Sequence, residues 1–290
     1  MGTPQHNIRL LNVALVGIAA VAIAAVRVNR EHRFAEVTQL ALIAQRAILP
    51  ALPARAGQVA VAALYHSAAQ GALVGGDLYD CYHSEDRIRF VVGDVRGKGI
   101  AGVEQAARVI RAFRQSAARR PALTEVAIEM DDYLSYFFGD EEFVTALLVD
   151  VTWPGELRFV AAGHPSPQLL GPIDAALLDL PHGLPMGLGL GHRLNGYVET
   201  TFPWNPGDRL LMYTDGLSEA RDVAGEFFPV PSLAPLLRLG PVERAIDEVV
   251  NAVTTYVPQG RLEDDLAVVL IESLSEAATT EAAESGTSHD

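Results

Sequence analysis

The stretch VDVTWPGELRFV, residues 149–160, holds two β-rich runs separated by Pro154-Gly155. A Pro-Gly pair between such runs is typical of a tight turn, and strands joined by so short a link pair antiparallel. The β-rich runs of the whole chain are residues 59–65, 87–95, 144–152, 157–163, 208–214 and 266–272. Helical patterns occupy about residues 100–119, 122–138 and 241–256. Because strands and helices do not alternate strictly, we expect an α+β fold, with antiparallel sheets and helices packed outside them.

The composition is that of a globular protein with an acidic surface. Hydrophobic residues make up 49% of the 290 residues and charged residues 20%, so wholesale disorder is excluded. The formal net charge of −14 repels nucleic acid and attracts cations, so we expect no nucleic-acid partner. A single cysteine, Cys81, excludes an internal disulfide framework.

The N-terminal segment contains a candidate membrane anchor. Seventeen uncharged residues separate Arg9 from Arg27, and at about 1.5 Å per residue they span roughly 26 Å, near the lower limit for a bilayer crossing. A signal peptide and a buried helix are the alternatives. However, Arg27, Arg30 and Arg33 follow the apolar run, and positive charge marks the cytoplasmic side. The sequence therefore predicts a single-pass protein of the cell membrane, anchored through residues 10–26, with the rest of the chain in the cytoplasm.

A linker helix is expected between this anchor and the first strand. Residues 30–49 contain no Gly or Pro, and Pro50 and Pro53 end the pattern. Apolar residues spaced by three and four form a seam, namely Phe34, Val37, Ala41, Ala44 and Ile48. Such a seam is typical of a short coiled coil and predicts a homodimer, with a lone amphipathic helix packed on the domain as the alternative.

Four segments follow from these patterns. They are a short N-terminus with the transmembrane helix (1–29), the linker helix (30–53), a globular domain (54–272) and a disordered acidic tail (273–290).

Carboxylates beside glycine or beside each other recur at four predicted strand ends. They are Asp77 and Asp80 in GGDLYD, Asp94 in GDVRGKG, Asp215 in TDG, and Asp264 and Asp265 in EDD. Turn formation explains any one of them. Four in one domain would repel each other unless a cation neutralises them, and hard divalent cations take carboxylate and carbonyl oxygens as ligands. A site for two ions is therefore predicted, with exposed turn residues as the alternative.

Two other motif readings fail on context. The segment GKGIAG fits the dinucleotide fingerprint G-x-G-x-x-G, but a second helix follows where that fold requires a strand with an acidic residue. GGDLYD also looks like the GGDEF turn of diguanylate cyclases, a family that accounts for neither TDG nor EDD.

The ordered set GGDxxD, GDVxGKG, FVTALLVDV, AGHPSP, PMGLG, GDRLLMYTDGLSEARD and EDDLAVVLI resembles one known family. It is similar to the bacterial metal-dependent (PPM-type) serine/threonine phosphatases of the RsbU/SpoIIE-like branch, from about residue 40 to about residue 272. The resemblance implies a PPM-type phosphatase domain in which two antiparallel β-sheets pack as a sandwich with helices on the outside. It also implies two Mn²⁺ or Mg²⁺ ions at one edge of that sandwich.

The resemblance also implies roles for single residues. Carried over by position, Asp94 bridges the ions, Asp77 and the backbone carbonyl of Val95 bind one ion, and Asp215 and Asp264 bind the other. Asp265 is a further candidate metal residue and Asp80 a weaker one, each expected to act through water. The catalytic set is then Asp94, Asp77 and Asp215.

The chain departs from the family at two positions. Ala267 stands where Thr is usual, and Arg96 stands where relatives outside the bacterial branch carry His, so the proton donor to the leaving group is unassigned. Arg96 and Lys98 are candidates to hold phosphate. His164 is a structural or a catalytic histidine, the structural role being favoured.

The function implied is hydrolysis of phosphoserine and phosphothreonine by a water that bridges the two metal ions. The implied substrate is a phosphorylated protein such as an anti-sigma-factor antagonist in a partner-switching pathway. The alternative is a catalytically degenerate PPM-like domain that serves as a regulatory binding module.

Overall fold

The computed structural model describes residues 15, 17, 18, 20–29, 49–68, 75–97, 99–139, 141–193 and 196–275. Within these ranges, no helix combines the length and the apolar character that a bilayer crossing requires. Residues 20–29 are helical and exposed, and residues 10–14, 16 and 19 of the predicted span 10–26 lie outside the described residues. So do nearly all of the predicted linker helix 30–49, Lys98 and most of the acidic tail.

The described strands form two sheets in which all named pairs are antiparallel. The six-stranded sheet has the order β1-β2-β11-β10-β7-β8 and the five-stranded sheet the order β3-β4-β5-β6-β9. The strand bounds are β1 Arg55–Ala56, β2 Val59–His66, β3 Asp77–His83, β4 Ile88–Val95, β5 Val144–Asp150, β6 Glu156–Ala162, β7 Gln168–Leu170, β8 Ala175–Leu177, β9 Thr200–Pro203, β10 Arg209–Tyr213 and β11 Leu266–Ser273.

The hairpin predicted from VDVTWPGELRFV joins β5 to β6. Asp150 pairs with Arg158, and the amide of Glu156 donates to the carbonyl of Trp153 at 3.1 Å. Gly155 has φ 77°, a left-handed conformation that glycine adopts at no steric cost. The antiparallel arrangement expected from this stretch is confirmed.

Helices cover the outer faces of both sheets. Their bounds are α1 Ile100–Arg119, α2 Leu123–Ser135, α3 Asp215–Ser218, α4 Ala234–Leu237 and α5 Val242–Tyr256. Buried residues of α1 and α2, such as Phe113 and Met130, pack on the five-stranded sheet, and those of α4 and α5 pack on the six-stranded sheet. A third apolar layer, which includes Phe90 and Phe159, lies between the sheets. The predicted sandwich with outer helices is therefore confirmed.

Strand β3 corrects one expectation. The sequence pattern placed Asp77 and Asp80 in a turn-like loop, but both lie within β3, which pairs with β4 over its whole length. Aspartate is depleted in strands, which hid this element from pattern reading. Successive side chains alternate between the faces of a sheet, so residues three apart point in opposite directions. Asp77 shares the inter-sheet face with Tyr79, and Asp80 shares the helix-facing side with Leu78.

A buried ion pair fixes the connection between α1 and α2. Arg89 on β4 bonds Asp150 on β5 through Nε at 2.7 Å, and both side chains are at most 3% exposed. The other nitrogens of the guanidinium donate to backbone carbonyls of Ala117, Arg120 and Pro121 at 2.6–3.0 Å. Positive charge at a helix C-terminus also opposes the negative end of the helix dipole. The pair therefore anchors the helical layer to the sheet.

A second buried carboxylate organises the PMGLG loop. Asp131 on α2 is fully buried, and its Oδ1 accepts hydrogen bonds from the amides of Gly187, Leu188 and Gly189 at 2.7–3.0 Å. Its Oδ2 accepts another from the amide of Gly191 at 2.8 Å. Since buried amides need partners, this one side chain holds the loop to α2.

Candidate metal centre

Two carboxylates of the candidate site come from one strand pair. Asp77 on β3 lies directly opposite Asp94 on β4 in the register. Side chains opposite each other across antiparallel strands have Cβ atoms about 4.5–5.5 Å apart, and like charges there are destabilising. The five-stranded sheet therefore brings two negative groups together on its inter-sheet face.

The third carboxylate comes from the other sheet. Strand β10 ends at Tyr213, and Asp215 begins α3 two residues later. Thr214, between them, donates its hydroxyl to Asp77 Oδ2 at 2.6 Å and accepts from the amide of Ala267 at 3.0 Å. A Cβ on Gly216 would collide with the carbonyl oxygen of Asp265, so glycine is required in TDG for this close approach.

These three acids form a compact group. One carboxylate oxygen each from Asp77, Asp94 and Asp215 lies within 4.8 Å of the other two. Burial raises the pKa of Asp77 well above its usual range, and the charges of Asp94, Asp215 and Asp265 raise it further, against the opposing hydrogen bond from Thr214. Converging oxygen ligands with excess negative charge are what hard divalent cations select. The donor set thus fits Mn²⁺ or Mg²⁺.

Paired glycines before β3 allow the backbone to pack closely on Val95 and Asp265, and a metal role for the carbonyl of Val95 stays a prediction. The amide of Val95 donates to the carbonyl of Gly76 at 3.2 Å, and a Cβ on Gly76 would collide with the carbonyl oxygen of Val95. A Cβ on Gly75 would likewise collide with the carboxylate of Asp265. The two glycines of GGD are therefore required by close packing at the site.

Asp265 is a hydrogen-bond acceptor for two distant segments. Its carboxylate accepts from the hydroxyl of Tyr65, the hydroxyl of Ser67 at 3.2 Å, and the amides of Ala68 at 2.7 Å and Gly75 at 2.6 Å. Asp265 is buried, and its charge contributes to the raised pKa of Asp77. The structure does not bring Asp265 into the group of three, and a metal role for it stays a prediction.

Asp264 lies at the mouth of the site. It is exposed, and its Oδ1 accepts from the amide of Asp265 at 2.9 Å. With Asp215 it lines a cleft of about 230 Å³, here called the acidic cleft, whose lining residues are Asp215, Gly216, Glu219, Ala220, Arg221, Glu263 and Asp264. Its role as a ligand of the second ion also stays a prediction.

Asp80 faces the helical layer. Its Oδ2 pairs with Arg114 Nε of α1 at 2.6 Å, and its Oδ1 accepts from the amide of Cys81 at 2.8 Å. Burial raises the pKa of Asp80, and the hydrogen bond and charge of Arg114 act in the opposite direction. The strand places this side chain on the opposite face from Asp77, so any effect on the site passes through α1.

His164 is a buried structural link between the sheets. Its Nε2 lies 3.1 Å from the carbonyl oxygen of Tyr213, which only accepts, so this nitrogen carries the proton. Its Nδ1 then accepts from the hydroxyl of Thr145, also at 3.1 Å. Burial lowers the pKa of His164 to about 4, the hydrogen bond to Tyr213 opposing this change. Both nitrogens are satisfied by the protein, which supports the structural role over the catalytic one.

Of the two candidate phosphate-binding residues, the structure describes only one. Arg96 is exposed and its guanidinium lies 5.4 Å from the ring centre of Phe143. Lys98 lies outside the described residues.

Sequence reasoning missed Thr214, which bonds Asp77, and Arg221, which lines the acidic cleft. For Thr214 a signal was present, because it immediately precedes an acid and follows a buried strand.

Comparison with known proteins identifies the family and the fold. A family model described as Stage II sporulation protein E (SpoIIE) matches residues 84–273, more than half of the chain. The chain belongs to the SpoIIE family. The resemblance to RsbU/SpoIIE-like phosphatases is thereby confirmed. The matched part of this SpoIIE-family chain includes Asp94, Asp215, Asp264 and Asp265 but begins after Asp77.

Solved structures show the same fold. The PP2C domain of SiaA from Pseudomonas aeruginosa is 23% identical with a TM-score of 0.67, over 87% of this chain and 99% of that one. A structure of the RsbU and RsbW domains of a Mycobacterium tuberculosis protein is 24% identical with a TM-score of 0.61, over 78% of this chain and 66% of that one. The catalytic domain of the phosphatase PstP, solved with two manganese ions, is 16% identical with a TM-score of 0.58. The match covers 75% of this chain and 99% of that one. This chain thus spans slightly less than two thirds of the RsbU–RsbW structure.

Proposed function

We propose that this chain is a metal-dependent phosphoprotein phosphatase that hydrolyses phosphoserine and phosphothreonine. The observation that carries the proposal is the convergence of Asp77, Asp94 and Asp215, from three separate strand ends in two sheets, to within 4.8 Å. The PstP domain solved with manganese shares the fold and supports a metal role for these acids.

The residues present divide between two ion positions. Asp77, Asp94 and the carbonyl of Val95 would hold one Mn²⁺ or Mg²⁺, and Asp94, Asp215 and Asp264 the other. When bound, such ions supply positive charge and an acidic water, which phosphate-monoester hydrolysis needs because its uncatalysed rate is among the slowest known.

The protein's own contribution is to fix the acids before any ion binds. The hydroxyl of Thr214 orients Asp77 through the 2.6 Å hydrogen bond, so a residue directly after a strand of the six-stranded sheet positions a carboxylate of the five-stranded one. His164 adds a second link between the sheets, from Thr145 on β5 to Tyr213 on β10. Preorganised ligands lose less entropy on binding, which favours tight and selective metal binding.

A simple assay tests the proposal. The full-length protein should hydrolyse p-nitrophenyl phosphate with Mn²⁺ and lose this activity after chelation. Asp94→Asn should lower turnover roughly 100-fold or more, because it removes a charged ligand. Asp247→Asn on α5, an exposed acid far along the chain, is the control with the same charge change. Absence of turnover in the wild type would favour the degenerate binding module, and full activity in Asp94→Asn would refute the two-ion site.

For the substrate, we propose a phosphorylated anti-sigma-factor antagonist. The solved relative that combines RsbU and RsbW domains in one protein supports a protein partner of the partner-switching kind. Dephosphorylation of purified candidate antagonists, followed by phosphoprotein gel electrophoresis, tests this assignment; resistance of every such protein would refute it.

The proposed location is the cell membrane, with the phosphatase domain in the cytoplasm. Support comes from the uncharged run between Arg9 and Arg27 and the arginines that follow it. Fractionation should find the full chain in membranes after a high-salt wash. A protein that washes off with salt, or is cleaved near residue 24 and secreted, would contradict this location.

We further propose that residues 30–49 pair two chains and thereby regulate the site. The apolar 3-4-3-4 seam supports this, and its alanines make the pairing weak enough to switch. Charged substitutions at Phe34, Val37 and Ile48 should change turnover without touching the acids. If these variants and the wild type share one specific activity at every protein concentration, the helix does not regulate by pairing.

A further inference from the structure

A short hairpin forms one wall of the acidic cleft. Arg221 and Phe227 are bridged antiparallel, and the amide of Gly225 donates to the carbonyl of Asp222 at 3.0 Å to close the turn. The carboxylate of Asp222 also accepts from the amide of Glu226 at 2.9 Å. The hairpin is thus an ordered element that holds Arg221 at a defined place beside the candidate metal centre.

The guanidinium of Arg221 is fixed by two contacts on its own hairpin. Its Nη1 donates to the carbonyl of Gly225 at 2.9 Å, and its central carbon lies 3.9 Å from the ring centre of Phe227. A guanidinium has five N–H donors, so most of them remain available. Stacking on an aromatic ring leaves the edges of the planar group free to meet an oxyanion.

Among the described residues, Arg221 forms no ion pair with a carboxylate. In the part of the chain that the structure describes, no carboxylate lies within 4.0 Å of its guanidinium, although it lines the acidic cleft with Asp215, Glu219, Glu263 and Asp264. An arginine that only neutralised this cleft would pair with one of those acids. Instead, the hairpin holds Arg221 in the wall of a cleft that two of the proposed metal ligands also line.

We propose that Arg221 binds the phosphoryl group of the substrate as it enters the acidic cleft. This inference rests on the proposed phosphatase function and adds a residue that the sequence did not predict. A phosphoryl dianion approaching four carboxylates is repelled, and a fixed guanidinium opposes that repulsion and offers two parallel hydrogen bonds. The cleft of about 230 Å³ is several times the roughly 30 Å³ that one liquid water occupies, so it admits such a group.

The exposed Arg96 is the competing candidate. It follows Asp94 by two residues but is absent from the lining of the acidic cleft, and its guanidinium is farther from its aromatic neighbour, at 5.4 Å compared with 3.9 Å. A looser stack leaves a side chain more freedom to lose on binding. The geometry therefore assigns phosphate binding to Arg221.

The test measures the affinity of the full-length chain for inorganic phosphate. Two readouts are used: competitive inhibition of Mn²⁺-dependent p-nitrophenyl phosphate hydrolysis, and direct calorimetric titration with phosphate. Arg221→Gln should weaken phosphate affinity roughly tenfold in both, since it removes a charge-assisted hydrogen bond. Arg221→Lys should weaken phosphate affinity less than Arg221→Gln does. Phe227→Leu keeps the charge but removes the ring, so its phosphate affinity should lie between those of the wild type and Arg221→Gln. Arg244→Gln, an exposed arginine on α5, is the control with the same change in net charge.

The outcomes separate this inference from the proposed function. Unchanged phosphate affinity in Arg221→Gln, or an equal loss of affinity in Arg244→Gln, would overturn the role of Arg221 in phosphate binding. Neither result would count against the proposed phosphatase function. A wild type that binds phosphate through Arg221 but does not turn over substrate would support the inference and refute the function. If Arg221→Gln fails to fold, judged by its melting temperature, Arg221→Lys and Phe227→Leu decide, and wild-type affinity in both would overturn the inference.

Discussion

Replacing His164 with glutamine should change how the stability of the protein depends on pH. His164 is 2% exposed, and its ring is held in the neutral form between Thr145 and Tyr213. Burial lowers the pKa of His164 to about 4, whereas an unfolded histidine has a pKa of about 6.5. Glutamine keeps a donor and an acceptor near the same positions but takes up no proton.

The sign of the effect follows from which state binds the proton. As the pH falls below about 6.5, the unfolded chain is protonated at His164 and the folded chain is not, so the free energy of unfolding decreases. The decrease is about 1.4 kcal/mol per pH unit and ends near pH 4, where the folded protein also takes the proton, for a total of about 3 kcal/mol. This stability is fully present above pH 6.5.

The measurement is urea unfolding of the metal-free full-length chain at several pH values from 7.5 to 4.5, followed by tryptophan fluorescence. Both proteins contain the same carboxylates, so their difference in unfolding free energy isolates the histidine. We expect the advantage of the wild type over His164→Gln to shrink by about 2.5 kcal/mol across this range. A difference that stays constant would show that the folded protein protonates His164 freely, and the inference of a buried neutral histidine would be wrong.

Three further substitutions test other parts of the structure. Arg89→Met should lower the free energy of unfolding by about 3–5 kcal/mol, because it leaves Asp150 as an unpaired buried charge, and urea unfolding against Arg89→Met/Asp150→Asn should recover part of the loss. Asp131→Asn should speed amide hydrogen exchange in the PMGLG loop at least tenfold, since the single carbonyl oxygen of asparagine accepts more weakly than a carboxylate and its NH2 group cannot accept from the amide of Gly191; unchanged exchange would contradict the anchoring role. Asp80→Asn should reduce Mn²⁺-dependent turnover less than Asp94→Asn does, because Asp80 faces Arg114 instead of the site, and equal losses would contradict that placement.

The sheets and the main helices were predictable because their patterns are strong. The hairpin at Pro154-Gly155 and the long helices α1 and α5 lie within a few residues of the predicted positions. Strand β3 was missed because two of its seven residues are aspartates, and β7, β8 and β9 are too short, at three or four residues, to show an alternation. Tertiary pairing, not local preference, makes these segments strands.

The sequence was enough to predict a site made of acids, but not which of them converge and which bond other parts of the protein. Acids at several strand ends indicated a cation site, and three of them do converge. The hydrogen bonds of Asp265 could not be predicted from the sequence, because its donors lie about 190 to 200 residues away along the chain. These donors are Tyr65, Ser67, Ala68 and Gly75. The separation of Asp77 from Asp80 follows from strand alternation, which becomes usable only once β3 is recognised as a strand.

The three clustered acids belong to two different sheets, and this has a consequence for how such a protein can evolve. Asp77 and Asp94 are carried by the five-stranded sheet, whereas Asp215 follows a strand of the six-stranded sheet. The distance from Asp215 to the other two acids therefore depends on the thickness of the apolar layer between the sheets, where Ala267 lies beside Thr214. Enlarging a residue of that layer would widen the site without touching a ligand. Selection for activity should thus restrict side-chain volume in this layer more strongly than selection for stability alone would.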